Sequence, residues 1–263
     1  MLSAAFGFRQ QTNTLVNPTG ITITERFSAP PNFTRIYSEQ NSFGEYLQTL
    51  SLKPHGALVH YYNRQEKPNK VAAAVLTMDV DNKDLQQCAD AVMRLRAEYL
   101  LKTQQYDALH FNFTNGFKAS YSKWKAGYRI TVKSNNVGWI KTTKESQSYQ
   151  SFREYMNMVF NYAGTASLSK ELKSIPLSQM QIGDIFIKGG APGHAVIVVD
   201  MAVNTKTNKK IFMIAQSYMP AQDIHILINK NKTGISPWYE LEENATEIYT
   251  PEWTFEGNQL KRF

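Results

Sequence analysis

The stretch from 183 to 200, GDIFIKGGAPGHAVIVVD, constrains the fold more than any other. It reads as a strand, a Gly/Pro turn, and then a histidine opening a long run of Val and Ile. A continuous β-branched run with no polar alternation belongs to a strand covered on both faces. A chain containing it must therefore build a sheet with a layer on each side. Further strand-like segments follow at Ile211–Tyr218 and Ile224–Ile228, joined by short polar turns. Together with Asp184–Lys188 they predict an antiparallel meander.

The half before the meander reads differently. Ser42-x-x-Glu45 is a capping box opening a short helix. Asp84 with Gln87 predicts a second box, and Leu85, Cys88, Val92, Leu95 and Tyr99 then recur at helical spacing. Ser151-x-x-Glu154 opens another helix, SFREYMNMVFNYA, with Gly164 placed to end it. Residues 21–28 alternate like a strand, and the runs 57–62, 71–78, 108–113 and 128–133 are strand-like. Helices first and meander last predict an α+β fold, with a helical part packed on a C-terminal sheet. Residues 1–20 read as a disordered or signal remnant and 21–263 as one domain, without internal repeats.

Composition narrows the chemistry. The chain has 263 residues, a net charge of +7, one cysteine and five histidines. One cysteine excludes an intrachain disulfide and any Cys-cluster metal site, and no H-E-x-x-H offers zinc ligands. No Gly-rich phosphate loop or serine elbow is present, so neither a nucleotide, a metal nor another cofactor is expected. The basic residues are dispersed among Asn and Thr, which argues against nucleic acid. No run of 18 apolar residues provides a transmembrane segment.

Chemistry then falls to Cys88 and His194. A cysteine in the first turns of a helix gains from the dipole, and a histidine held at a strand start can take its proton. Gln216, on the next strand, could accept from the second ring nitrogen and set its tautomer. Gln87 or Gln86 could donate to an oxyanion, beside the tight turn at Gly193. Placed on the apolar stripe with Leu85 and Val92, Cys88 is equally a core cysteine. Among the rest, Asp184 reads as a turn residue, and Asp200 as too distant to orient His194. His110 and His225 read as exposed. The tryptophans Trp124, Trp139, Trp238 and Trp253 read as core or groove residues.

Gly183-Asp184-Ile185 followed by Gly193-His194-Ala195-Val196-Ile197 resembles a segment of papain-like cell-wall hydrolases, the NlpC-type peptidases and CHAP-type amidases. That resemblance implies a papain-like fold with Cys88 as nucleophile, His194 as base and Gln216 as orienter. The surroundings of Cys88 depart from it, with Gln87 and Ala89 in place of the usual Asp-Cys-Ser-Gly. From about residue 20 onward, DLQQCADAVMRLRAEYL, HFNFTNGF, AQSYMPAQDIHIL, SPWY and TPEWTF are similar to domain-of-unknown-function family 4846. That likeness implies an exported or lipid-anchored protein of the bacterial envelope. The expected function is amide hydrolysis on a peptide or peptidoglycan-like partner. The alternative is an inactive copy that binds peptide or glycan on the same scaffold.

Overall fold

The computed structural model describes residues 14–263. Its frame is an antiparallel sheet whose main strands are β1 (Ala72–Val75), β2 (Lys173–Ser174), β3 (Ile185–Lys188), β4 (His194–Val203), β5 (Lys210–Gln216), β6 (His225–Leu227) and β7 (Leu260–Arg262). They lie in the order β1-β6-β5-β4-β3-β7-β2. Two short strands join off this path, Thr34–Arg35 beside β4 and Tyr239–Leu241 beside β5. The expected meander is thus β3-β4-β5-β6, and the mixture of helices and antiparallel sheet is α+β. The N-terminal half is not only helical, because β1 closes one edge of the sheet.

Both faces of the sheet are covered, as the β4 sequence requires. Ala195, Ile197 and Val199 point into one core, shared with the helices α2 (Cys88–Lys102) and α3 (Tyr149–Tyr162). Val196, Val198 and Met201 point into a second core with Phe186, Phe212 and Phe255. The odd-to-even change is absorbed by a register shift between Met213 and Ile214. Alternation along these strands therefore chooses between two cores, not between core and water. This corrects the expectation for His225. Its neighbours Ile224 and Ile226 enter the helical core, and His225 itself lies fully buried on the opposite face.

Helix starts follow local capping with two exceptions. Ser42 caps α1 (Phe43–Gln48), its Oγ accepting from the Glu45 N–H at 3.2 Å. The run at 21–28 is not a strand: Thr22 and Glu25 form a capping box that turns Ile23–Arg26 into a helix. Glu25 Oε2 accepts from the Thr22 N–H, so reciprocal capping overrides the alternation between the isolated bridges that Thr22 and Phe27 make at its two ends. The run at 57–62 forms only isolated bridges, His60 with Glu66 and Tyr61 with Gln222. α3 begins at Tyr149, capped by Ser148 rather than Ser151. Val16 bridges Phe27, so the packed chain includes residues counted in the expected N-terminal remnant; residues 1–13 of that expectation lie outside the described residues. No helix among the described residues is long and apolar enough to cross a membrane.

Candidate functional site

The second exception is α2, and it sets the site. The helix begins at Cys88, with Gln87 as its N-cap, three residues later than an Asp84 cap predicts. Asp90 holds this start by accepting from the Gln87 N–H at 3.0 Å. Asp84 has a tertiary task instead. Its Oδ1 accepts from the Ala221 N–H at 2.7 Å and from Gln87 Nε2 at 3.1 Å, tying the approach to α2 to the loop between β5 and β6. Ser217 Oγ, near the Gln86 carbonyl at 3.0 Å and the Gln222 carbonyl at 2.8 Å, strengthens the same junction. Cys88 is thereby the first helical residue, where the backbone N–H groups have no helical acceptors and the dipole is strongest.

α2 packs against β4. The backbone N–H groups of Ala195, Ala89 and Cys88 itself favour the ionised form of the Cys88 sulfur. Ala195 is the residue after His194, so the helix start meets the rim of the sheet where β4 begins. Cys88 and His194 line one cleft there, a cavity of about 440 Å³ that Tyr218, Met219, Phe160 and Trp253 also border. Cys88 is half-buried and lines this cleft.

His194 is 1% exposed and its ring is fixed from several sides. It packs on Tyr218, Trp253 and Phe255 with ring centroids 4.7, 5.3 and 5.8 Å apart. Its Nε2 lies 2.9 Å from Gln216 Oε1. Strand geometry explains the meeting. Ala215 pairs with Ile197, so Gln216 falls one step diagonally from His194 on the same face. His225 pairs directly with Gln216 from the other side.

The hydrogen-bond network decides which atoms carry protons. His225 Nδ1 lies 2.9 Å from the Asp223 carbonyl, which can only accept, so Nδ1 holds the proton and Nε2 is a lone pair. That lone pair is 3.4 Å from Gln216 Nε2, and Glu252 Oε2 is 2.7 Å from the same nitrogen. Two acceptors face the amide nitrogen, so the amide oxygen must face His194. His194 Nε2 is then the donor, and Nδ1 carries the lone pair. Glu252 is held by Lys67 Nζ at 2.6 Å and Asn69 Nδ2 at 2.8 Å. The relay Lys67–Glu252–Gln216–His194 is what sets the tautomer.

Electrostatics leave the resting pair uncharged. Burial, followed by the Asp90 carboxylate, pushes the Cys88 thiol up to about 11, against the pull of the surrounding N–H groups. Burial pulls His194 down to about 4, although Gln216 and Glu252 favour its charged form. At neutral pH the cleft holds a thiol and a neutral imidazole, not a thiolate and an imidazolium. Burial alone would raise Glu252, but its bonds to Lys67, Asn69 and Gln216 hold it below the usual carboxylate range.

The other expected residues divide clearly. Gly193 lines the cleft in a turn too tight for a side chain: a Cβ there would lie 2.3 Å from the Gly190 carbonyl oxygen and 2.4 Å from Thr165 Oγ1. Gln87 lines the cleft, whereas Gln86 turns away, its Oε1 accepting from the buried Arg94 at 2.9 Å. Asp184 accepts from the Gln181 N–H at 2.8 Å and pairs with Arg262, a turn role. Asp200 pairs with Arg35 and Gln48, away from His194. His110 lies near Glu171, with 3.6 Å between Nε2 and Oε1. Trp124 and Trp238 are core residues, and Trp253 is the tryptophan of the cleft. Lys67, Asn69, His225 and Glu252 escape the sequence reading because they meet His194 only through tertiary pairing. The segment TPEWTF was visible as a motif, but nothing in it announces a partner for Gln216.

No group of three or more His, Cys, Asp or Glu side chains among the described residues is arranged to hold a metal ion. No curated protein and no solved structure matches the chain. A family model does, over residues 23–262. The chain belongs to the family described as domain of unknown function 4846.

Proposed function

We propose that the protein is a cysteine-dependent amide hydrolase with a papain-like arrangement of its site, acting on peptides of the bacterial envelope such as those of peptidoglycan. One observation carries the reading. A cysteine at the first position of a helix shares a cleft with a histidine whose tautomer is set by a strand-borne amide.

The chemistry follows from the proton positions. His194 Nδ1 takes the thiol proton as the Cys88 sulfur attacks the substrate carbonyl carbon. The negative charge that develops on the carbonyl oxygen is met by the free N–H groups of Cys88 and Ala89, with Gln87 beside them. The imidazolium returns its proton to the departing amine, the C–N bond breaks and a thioester remains. Water then gives a proton to His194 and attacks the thioester, releasing the acid and restoring the thiol. Charge appears only during reaction, since both groups are neutral at rest.

The high thiol value also supports a second reading, an inactive relative that binds peptide or glycan in the same cleft. A digest of peptidoglycan stem peptides, followed by mass spectrometry, separates the two. Hydrolysis predicts new amino and carboxyl ends with the wild-type chain and none with Cys88→Ala or His194→Ala. Retention of intact peptide by all three proteins, with no cleavage by any, would overturn the enzyme reading.

A further inference from the structure

The net charge of +7 is not spread over the chain. Residues 108–144 carry seven of the 29 basic side chains and none of the 22 acidic ones, so the other 22 bases balance the acids and the whole excess belongs to this stretch. In the fold it is a lobe outside the main sheet. It is built from the hairpin His110–Asn112 with Lys118–Ser120, the helix Tyr121–Lys125 and the hairpin Tyr128–Lys133 with Asn136–Lys141. Three of its cations are committed. Lys125 pairs with Glu145 at 3.6 Å, Arg129 donates to the carbonyls of Trp124 and Tyr128 at 3.0 and 2.8 Å, and Lys118 favours the charged form of Glu171. Lys123, Lys133, Lys141 and Lys144 are exposed, and none has a carboxylate partner among the described residues. Apolar surface lies among them. Ile130, Val132, Val137 and Trp139 share the hairpin face that packs on the helical core, so alternation turns Ile140 away from it, and Ile140 is 49% exposed.

We propose that this lobe docks the protein on an anionic phospholipid surface, with Lys123, Lys133, Lys141 and Lys144 among the headgroup phosphates and Ile140 entering the acyl boundary. Lysines near such a surface each add to the attraction without needing a fixed geometry, which suits unpaired cations spread over a helix and a hairpin. An exposed aliphatic side chain among them gains only from an apolar neighbour, and the bilayer supplies one. A nucleic acid suits the lobe less. Unpaired bases need an open aromatic face to stack on. Here Trp139 lies 5.7 Å from Phe117 and has Lys123 over its ring, and Trp124 is 4% exposed with Arg129 4.2 Å above it. The lobe also leads to the cleft. Trp139, Phe117, Phe113 and Tyr162 follow one another with ring centroids 5.7, 5.5 and 5.1 Å apart, and residues 163–165 after Tyr162 line the cleft. Docking would therefore hold the cleft near the bilayer surface, whether that cleft cleaves its ligand or only binds it.

Co-sedimentation of the full chain with vesicles is the test. Vesicles of phosphatidylglycerol and phosphatidylcholine in equal parts should carry the protein down at low salt, and vesicles of phosphatidylcholine alone should not. Raising NaCl to about 0.5 M should release it, because exposed charges are screened. At roughly fivefold per lysine, Lys123→Gln, Lys133→Gln, Lys141→Gln and Lys144→Gln together should weaken binding at least about a hundredfold. Lys173→Gln, Lys206→Gln, Lys209→Gln and Lys230→Gln together remove the same charge from exposed positions outside the lobe, and should weaken it less than about tenfold. Circular dichroism checks that both variants fold; if either does not, the lipid and salt dependence of the wild-type chain decides. Equal binding to the two kinds of vesicle, or equal weakening by the two sets of substitutions, would overturn the proposal. Tighter binding to a single-stranded oligonucleotide than to the anionic vesicles at the same salt would overturn it in favour of nucleic acid.

Discussion

Replacing Gln216 with Ala removes three interactions at once, and their separate effects can be worked out. His194 Nε2–H loses its acceptor at 2.9 Å, and Glu252 loses a donor at 2.7 Å. His225 Nε2 loses its weaker contact at 3.4 Å. A neutral buried hydrogen bond contributes about 1 kcal/mol and one to a carboxylate about 2 kcal/mol. The ring left behind is 1% exposed, so water does not replace the amide cheaply. A stability loss of about 3–5 kcal/mol follows. At roughly 2–4 °C per kcal/mol for a domain of this size, the melting midpoint should fall by roughly 6–20 °C. Reactivity changes for a different reason. Without an acceptor at Nε2, the proton is free to occupy Nδ1 and block the base. A bias of about 1–2 kcal/mol lost from the productive tautomer lets its population fall towards one half, so Cys88 alkylation slows about twofold. Iodoacetamide labelling at 25 °C and pH 8.5, with circular dichroism confirming the fold, measures this. A lowered midpoint with unchanged labelling would refute the claim that Gln216 acts through His194 on the sulfur.

Three further outcomes follow from the same geometry. Lys67→Met leaves Glu252 buried without its cation; since Lys67 is 4% exposed, the loss should be about 2–4 kcal/mol and survive high salt, read by urea denaturation with and without 0.5 M NaCl. Gly193→Ala sets a methyl 2.3 Å from the Gly190 carbonyl oxygen, so the turn must open; its melting midpoint should drop and alkylation of Cys88 should change, and a variant indistinguishable from wild type would contradict the packing. For His194→Gln the sign of the pH effect is fixed. The histidine titrates near 4 folded and near 6.5 unfolded, so the unfolded chain binds more protons between those values and stability falls as pH drops from 6.5 to 4. That contribution reaches about 3 kcal/mol at pH 4, and the variant should lose the corresponding slope in denaturation curves across this window.

What sequence could reveal here depended on range. The β4 run was legible because double-sided burial leaves a local composition, and its neighbours because short polar turns punctuate them. The meeting of His194 with Gln216 was legible because the two lie on consecutive strands of a regular meander, and Cys88 stood out as the one cysteine of the chain. The start of α2 was not, because Asp84 is an adequate cap whose carboxylate is taken by Ala221, 137 residues away. Residues 21–28 misled because a local capping box outcompeted alternation. His225 misled because alternation was read as core against water, whereas the sheet has a core on each side. Lys67 and Glu252, 185 residues apart, complete the relay behind Gln216 through a contact that no local pattern encodes.

The measurement closest to the central claim is the pH dependence of Cys88 alkylation in the wild-type chain and in His194→Ala. With the imidazole acting on the sulfur, the wild-type rate should show a component at neutral pH that His194→Ala lacks, beneath a thiolate limb rising toward about 11. Superimposable profiles for the two proteins would mean that the sulfur and the ring share a cleft without sharing a proton.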